Sequence, residues 1–167
     1  FTGSGTSYSA TFTPTTGSGT ATISVANGKF GDTAGNLNAD GADANNTVSI
    51  VYDTQAPTQT VTFGSMTKDS GLSTGNADWT TADASAGRLV SGSVSAALGA
   101  NEVVKVYANG AEIGNATVSG TQWEITDISG YNANWTYTAK VVDTTGGAGP
   151  VAQKDVTLDT TSSAVTI

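Results

Sequence analysis

The chain has 167 residues, and fourteen Asp and Glu against six Lys and Arg give it a formal net charge of −8. A chain this acidic repels phosphate backbones, so nucleic acid is not expected as a partner. The sequence contains no Cys and no His, which excludes disulfides, thiolate or imidazole metal sites, and catalysis by Ser-His-Asp or Cys-His groups. No apolar run reaches the roughly eighteen residues of a membrane-spanning helix, so no membrane insertion is expected.

Composition and an internal sequence repeat predict the fold class. Gly, Ser, Thr, Asn and Asp are abundant and β-branched residues occur in short alternating runs, a pattern typical of all-β proteins. Asp53-Thr54-Gln55-Ala56-Pro57 and Val61-Thr62-Phe63 are echoed about a hundred residues later by Asp159-Thr160-Thr161 and Val165-Thr166-Ile167, and this period fits a β-sandwich. We therefore predict tandem immunoglobulin-like β-sandwich modules: 1–53 as the C-terminal half of a first module, 54–159 as a complete module, and 160–167 as the opening strand of a following one.

The first 53 residues contain three predicted strands. Tyr8–Thr13 alternates apolar and polar residues, and Pro14–Gly19 is its turn. Thr20–Ala26 repeats the alternation, and after the polar loop 30–46 the chain returns through a strand from Val48 to Tyr52. Three strands with one apolar face cannot close a sandwich core, which is why we interpret this region as half of a module.

The following hundred residues show about seven strands, the number in an immunoglobulin-like sandwich. They are marked by Val61 and Phe63, Leu89–Leu98, Val103–Tyr107, Ile113–Val118, Trp123–Ile125, Trp135–Val142 and Val151–Leu158. Asn109-Gly110 is a strong hairpin signal between two of them. Four aromatic side chains are expected in or beside the core: Trp123, Trp135, Tyr107 and Tyr137. A sugar-stacking role is the alternative for such aromatic residues.

Aspartates suggest bound calcium. Eleven of the fourteen acidic residues are Asp, whose short side chain suits both turns and the oxygen cages of hard cations. In the loop after the second strand, Gly35 and Gly41 would let the backbone curl around an ion. The candidate ligands in this loop are Asp32, Asn36, Asn38, Asp40 and Asp43. The alternative is an acidic, solvated loop without an ion.

Further aspartates are expected near the two ends of the complete module. Asp143 lies between its last two strands, so it should approach the entering linker with Asp53, and the two could share a cation. A second set should lie at the opposite end, where the departing linker passes: Asp69, Asp78, Asp83 and Asp159. Ca²⁺ bound at such junctions would stiffen a string of modules into a rod.

An enzyme is not expected. Two carboxylates would suffice for a glycosidase, but the only glutamates are Glu102, Glu112 and Glu124, which lie in or next to predicted strands without other site-like residues around them.

On these residues the sequence resembles the bacterial immunoglobulin-like repeats of giant surface adhesins and biofilm-associated proteins. The segments that carry the resemblance are Gly5–Pro14, Asp32–Asn36, Asp40–Asn46 and Asp53–Pro57, then Asp69–Asp83, Val104–Gly110, Ile113–Ala116 and Asp143. The resemblance implies an extracellular or cell-surface module, stiffened by calcium, that holds a ligand-binding tip away from the cell. Its expected partners are neighbouring modules of the same chain, with other copies of the protein or surface glycans as further candidates.

Two alternative functions remain open. Ser162–Ile167 resembles the opening strand Thr60–Phe63 and could complete the open half-module of another copy, which would make the protein a filament subunit joined by strand exchange. The protein could also be a carbohydrate-binding module that uses Trp79, Trp123 or Trp135. Trp79 is notable because it lies in a polar loop.

Overall fold

The protein is all-β, as the composition predicts; its computed structural model describes residues 2–4, 7–39, 46–70 and 77–162. The strands are β1 (Thr2–Ser4), β2 (Ser7–Ser9), β3 (Ser18–Ser24), β4 (Thr47–Asp53), β5 (Val61–Met66), β6 (Thr80–Thr81), β7 (Arg88–Val94), β8 (Glu102–Ala108), β9 (Ala111–Asn115), β10 (Thr117–Ser119), β11 (Gln122–Asp127), β12 (Trp135–Asp143) and β13 (Ala152–Leu158). No helix that could span a membrane was found among the described residues. The chain divides into two compact units, 1–55 and 56–167, which we call unit 1 and unit 2.

Unit 1 contains two antiparallel hairpins, β1–β2 and β3–β4. The predicted strands at 20–26 and 48–52 are present as β3 and β4. The predicted strand Tyr8–Thr13 is wrong in extent, because β2 ends at Ser9 and the next residues form no strand. Tyr8 is also 57% exposed rather than half-buried. Alternation of apolar residues predicts a strand only where a partner strand is available to pair with it.

The β3–β4 hairpin has one apolar face. Ala21 pairs with Ile50 and Ile23 pairs with Val48, so these four side chains lie on the same side of the hairpin. Ile23 is 38% exposed and Val48 is 53% exposed. In the described part of unit 1, β3 and β4 form a two-stranded sheet, and Phe12 packs edge-to-face on Tyr52 of β4 at a centroid distance of 5.9 Å. The interpretation of residues 1–53 as half of a module stays a prediction.

Unit 2 is a sandwich of two sheets, with strand orders β10-β11-β7-β5 and β6-β13-β12-β8-β9. All seven predicted strands are present, with three differences. The predicted strand Leu89–Leu98 is shorter at its end, because β7 spans Arg88–Val94. The predicted strand Ile113–Val118 is two strands: β9 pairs with β8 in one sheet, and after Ala116 the chain continues as β10, which pairs with β11 in the other. The short strand β6 was not predicted, and it pairs in parallel with β13.

The core lies between the two sheets of unit 2. Phe63 makes edge-to-face contacts with Trp79 and Trp123, at centroid distances of 5.8 and 5.4 Å. The Trp123 ring lies against Gly92, where an added Cβ would be 2.7 Å from it. The prediction of a core position is confirmed for three aromatic residues, Trp123, Trp135 and Tyr137. It is wrong for Tyr107, which alternates with buried Val106 and Ala108 and therefore faces outward.

Candidate functional site

The chain enters unit 2 beside two loops. Gln59 donates a side-chain hydrogen bond to Glu102 at 2.6 Å, and the Glu102 carboxylate also accepts the N–H of Gly99 at 2.7 Å. Pro57 is buried, and its carbonyl oxygen would lie 2.9 Å from a Cβ added to Gly149. The entering segment therefore runs along the β7–β8 and β12–β13 loops, which define the entry end of the sandwich.

The chain leaves unit 2 beside a different pair of loops. The N–H of Leu158 donates to the Asn134 side chain at 2.8 Å, and the N–H of Asp159 donates to the Thr81 carbonyl at 2.9 Å. Asn134 lies in the β11–β12 loop, and Thr81 ends β6, directly before the β6–β7 loop. Because β13 begins after the entry-end loop 144–151 and runs the length of the sheet, the exit end is opposite to the entry end.

Asp143 lies at the entry end, and Asp53 ends β4 of unit 1. The side chain of Asp143 accepts both the backbone N–H and the hydroxyl of Thr145, each at 2.6 Å. The Thr145 hydroxyl, followed by its N–H, lowers the pKa of Asp143. Asp53 accepts the N–H of Gln55 at 2.9 Å. Both side chains thus stabilise local turns, and a cation shared between them stays a prediction.

Three exit-end aspartates also cap turns. Each accepts the backbone N–H of the residue two positions later, an Asx-type turn. The pairs are Asp78 with Thr80, Asp83 with Ser85 and Asp159 with Thr161, at N···O distances of 2.8, 2.9 and 2.9 Å. The hydroxyls of Ser85 and Thr161 donate to Asp83 and Asp159 as well, and these bonds are the main reason why the pKa values of both carboxyls are lowered. Turn formation therefore accounts for one carboxylate oxygen of each of these three aspartates.

Asp69 differs from the other predicted ligands at this end. One carboxylate oxygen, Oδ2, accepts the N–H of Trp79 at 3.2 Å. The other, Oδ1, is buried and has no hydrogen-bond partner among the described residues. A buried, unpartnered carboxylate oxygen is costly unless something compensates it, so this atom fits a cation.

The predicted calcium loop of unit 1 is held by its own side chains. Asp32 accepts the N–H groups of Ala34 and Asn36 at 2.9 Å and the Asn36 side-chain amide at 2.9 Å. The Asn36 amide is the main cause of the lowered pKa of Asp32. The Asn38 side chain accepts the N–H of Lys29 at 2.7 Å. Two predicted ligands, Asp40 and Asp43, lie outside the described residues.

Among the residues that the structure describes, no three acidic side chains lie close enough together to hold a metal ion. The glutamates are also dispersed. Glu112, in β9, pairs with Lys105 at 3.1 Å, and Glu124 is in β11 of the other sheet. Glu102 accepts hydrogen bonds at the entry end. This placement gives no support to a pair of catalytic carboxylates.

The tryptophans proposed for sugar stacking are buried. Trp79, Trp123 and Trp135 are 2%, 1% and 2% exposed. Trp79 lies in a polar stretch of sequence, but its ring packs edge-to-face on Phe63 and Tyr137. Since stacking on a sugar requires an exposed ring, the structure contradicts a carbohydrate site built on these three residues.

A buried polar network links the two sheets and was not predicted. Arg88 in β7 and Asp127 in β11 are both 0% exposed, and Nη1 of Arg88 lies 3.3 Å from Oδ2 of Asp127. Asp127 also accepts the hydroxyls of Tyr137 at 2.6 Å and Tyr131 at 2.9 Å. The Arg88 guanidinium lies 4.5 Å from the Trp135 ring centroid. Because Tyr137 is in β12 of the second sheet, the network connects both sheets in a chain that has no disulfide.

This network changes the acidity of its tyrosines. Burial, followed by the hydrogen bond to Asp127, raises the pKa of Tyr131 to about 12. The same causes raise the pKa of Tyr137. The sequence contains one signal of this network: Arg88 is the only arginine of the chain.

Comparison with known proteins gives a family match within the first unit. Residues 1–50 match the family described as bacterial Ig-like domain, and none of the curated proteins compared with the chain matches it. The match confirms the resemblance to bacterial immunoglobulin-like repeats. Such domains are commonly found in surface-exposed proteins and are typically non-enzymatic.

Proposed function

Because a bacterial Ig-like domain is matched at residues 1–50 and a β-sandwich follows it, we propose that the protein is an extender segment of a bacterial adhesin or biofilm matrix protein. It would act outside the cell, at the surface or in the secreted matrix, and not as an enzyme. The observation that carries this proposal is that the chain enters and leaves unit 2 at opposite ends.

Opposite ends matter because they decide whether a module adds length. A chain that left beside its point of entry would fold back on the preceding module. In unit 2 the last strand, β13, has seven residues and carries the chain roughly 23 Å from the entry end to the exit end, at about 3.3 Å per residue. Each module of this kind therefore increases the reach of a tandem array.

We further propose that Ca²⁺ binds at the exit end of unit 2, with Asp69 as its main ligand. The support is the buried, unpartnered Oδ1 of Asp69, next to the exit segment that carries Asp159. Calcium takes six to eight oxygens, so backbone carbonyls and water would complete a shell begun by few carboxylates. Sites at Asp53 and Asp143 and in the loop of Asp32 are further candidates, with less support because the structure gives those carboxylates turn-forming partners.

The test is a thermal melt of the full chain in calcium and then in chelator, with small-angle scattering to report its length. Calcium at a hundredfold excess over its Kd should stabilise unit 2 by about 2.7 kcal/mol. Asp69→Asn should remove this gain, and Asp155→Asn, which changes an exposed aspartate on β13, should retain it. A melt that millimolar calcium leaves unchanged would contradict the ion proposal.

The scattering data test the extender proposal separately. An elongated particle in calcium supports it, and a maximum dimension no longer than one module in both conditions contradicts it.

Assembly by strand exchange is a second candidate, favoured by the exposed Ile23 and Val48 on the apolar face of β3–β4. A strand from another copy would pair with an open edge of this two-stranded sheet and extend it. Light scattering coupled to size-exclusion chromatography should then show oligomers that grow with concentration. A monomer at all concentrations would contradict strand exchange.

A further inference from the structure

Two short segments of unit 2 lie side by side and run in the same direction. In β6 and β13, Thr80 pairs with Thr157 and Thr81 pairs with Leu158, and this is the one parallel pairing among the described strands. Two backbone hydrogen bonds flank the pairing, from the N–H of Thr157 to the Trp79 carbonyl and from that of Asp159 to the Thr81 carbonyl, each 2.9 Å long. We call Trp79–Thr81 together with Thr157–Asp159 the parallel patch.

The direction of the strands decides how the patch responds to tension. β6 belongs to the beginning of unit 2 and β13 ends it, so pulling on the chain at both sides draws the two strands in opposite directions along their common axis. Their hydrogen bonds run across that axis and are loaded together. A hairpin pulled by its two free ends instead opens one pair at a time, at a lower force.

The load reaches the patch through β5. This strand pairs with β7, and its register shifts between Phe63 and Ser65, where Gly64 is left out of the ladder. The hydrogen-bond ladder between β5 and β7 is therefore disrupted at this position. After β5, the incoming chain is held by the N–H of Thr67, which donates to the Leu89 carbonyl at 2.8 Å, and by the Lys68 ammonium, which donates to Ser85 and Ala86. If β5 and these bonds give way first, the load passes to the parallel patch.

Trp79 anchors β6 in the core. Its ring is 2% exposed and packs on Phe63 and Tyr137 at 5.8 and 6.4 Å. From β13 itself, the ammonium of Lys154 lies 5.4 Å from the ring centroid. The backbone of Trp79 has a φ of 63°, which is unusual for a bulky residue and persists only where the surroundings hold it. The strand cannot slide along β13 unless this side chain leaves the core.

We infer that the parallel patch, anchored by Trp79, is the element of unit 2 that resists tension along the chain. The inference deepens the proposed extender function, because only a protein that is pulled makes use of such an element. The mechanical strength itself is a property of unit 2. It can therefore be measured even if the scattering and calcium experiments contradict the extender.

The experiment is single-molecule force spectroscopy on the full chain, with handles at its two ends. Unfolding from Val61 to Leu158 should release about 330 Å of chain, at roughly 3.4 Å per residue, which identifies the event of unit 2. Thr157→Pro deletes one of the two flanking hydrogen bonds at an exposed position. We expect the unfolding force to fall by roughly half, because one of two such bonds is lost.

A matched control lies four residues earlier on the same strand. The N–H of Gln153 points to the same edge of β13 as that of Thr157, by the alternation of the strand, but β6 does not extend to it. Gln153→Pro should leave the unfolding force unchanged. An unchanged force in Thr157→Pro, or an equal loss in both variants, would overturn the inference.

A second pair of variants tests the anchor and does not depend on proline. Trp79→Phe and Trp123→Phe each replace a buried indole by a smaller phenyl ring; Trp79 is 2% and Trp123 is 1% exposed. Both variants should lower thermal stability to a similar degree. Only Trp79→Phe should lower the unfolding force clearly. If the two variants lose force in proportion to their loss of thermal stability, the patch is not the element that resists tension.

Discussion

The two units are built from the same kind of strand but differ in what covers the strands. In unit 2, two sheets enclose a core of Val, Met, Trp and Tyr side chains that are at most 6% exposed. In the described part of the chain, the buried hydrophobic residues are all in unit 2, whereas most of the exposed large ones are in unit 1: Tyr8, Ile23, Phe30, Leu37, Val48 and Val51. Alternation therefore makes a strand where a partner strand can pair with it, but a core requires a second sheet.

This comparison can be tested because all three tryptophans are in unit 2. Tryptophan fluorescence therefore follows the unfolding of unit 2. Far-ultraviolet circular dichroism follows both units.

The largest effect is expected from the buried network. Asp127→Ala would leave the Arg88 charge and the hydroxyls of Tyr131 and Tyr137 without their shared acceptor. Removal of one partner of a buried ion pair costs about 3–5 kcal/mol. Urea denaturation followed by tryptophan fluorescence should show this loss for unit 2.

Lys105→Ala is the control for that variant. It breaks the Lys105–Glu112 pair, whose side chains are 28% and 48% exposed, and exposed pairs contribute at most about 1 kcal/mol. A loss in Asp127→Ala no larger than in this control would show that the network does not stabilise the sandwich.

The next effect concerns the space between strands. An alanine at Gly92 would place its Cβ 1.9 Å from the Thr62 carbonyl oxygen and 2.7 Å from the Trp123 ring, so backbone must move, at a cost of about 3 kcal/mol. Gly19→Ala in unit 1 meets only the Tyr52 side chain, at 3.2 Å, and should cost less than about 1 kcal/mol. Thermal melts monitored by circular dichroism would contradict the comparison if both variants lost the same stability.

A smaller effect is expected from truncating valines. Val104 in unit 2 is 0% exposed, and Val48 in unit 1 is 53% exposed. Val104→Ala should cost about 2 kcal/mol for two methyl-sized groups and the cavity they leave, and Val48→Ala less than about 1 kcal/mol. Urea denaturation of each variant, followed by circular dichroism, measures both losses. Equal losses would mean that unit 1 has a closed core, and the contrast between the units would disappear.

The smallest expected effect is a loss of stability at alkaline pH, and it concerns the tyrosines of unit 2. The pKa of Tyr131 is raised from 10.0 to about 12, so the folded state holds this proton more tightly than the unfolded state. Its contribution to stability is complete below about pH 10 and is lost as pH rises through about 12. Fluorescence-monitored melts between pH 9 and 12 should show this loss, and Tyr131→Phe should reduce it. A melting temperature independent of pH over this range would contradict it.

Local sequence predicted the elements whose cause is local. Asn109-Gly110 forms the β8–β9 turn with φ values of 49° and 82°, because these residue types accept positive φ. The position of Ile113–Val118 in the fold was beyond prediction, since Ile113 and Val118 both pack against the core although they belong to different sheets. An apolar residue signals burial but does not specify which sheet buries it.

The sequence by itself determined the all-β class, most strand positions of unit 2, the suitability of its aspartates for turns and the resemblance to bacterial Ig-like repeats, because these depend on residue type and short-range spacing. Only the tertiary structure decided the burial of Trp79, the pairing of Arg88 with Asp127 and the parallel pairing of β6 with β13. The ion pair joins residues 39 positions apart, and the parallel pairing joins Thr80 to Thr157, 77 positions away. Their partners are set by how the two sheets pack, which no local pattern encodes.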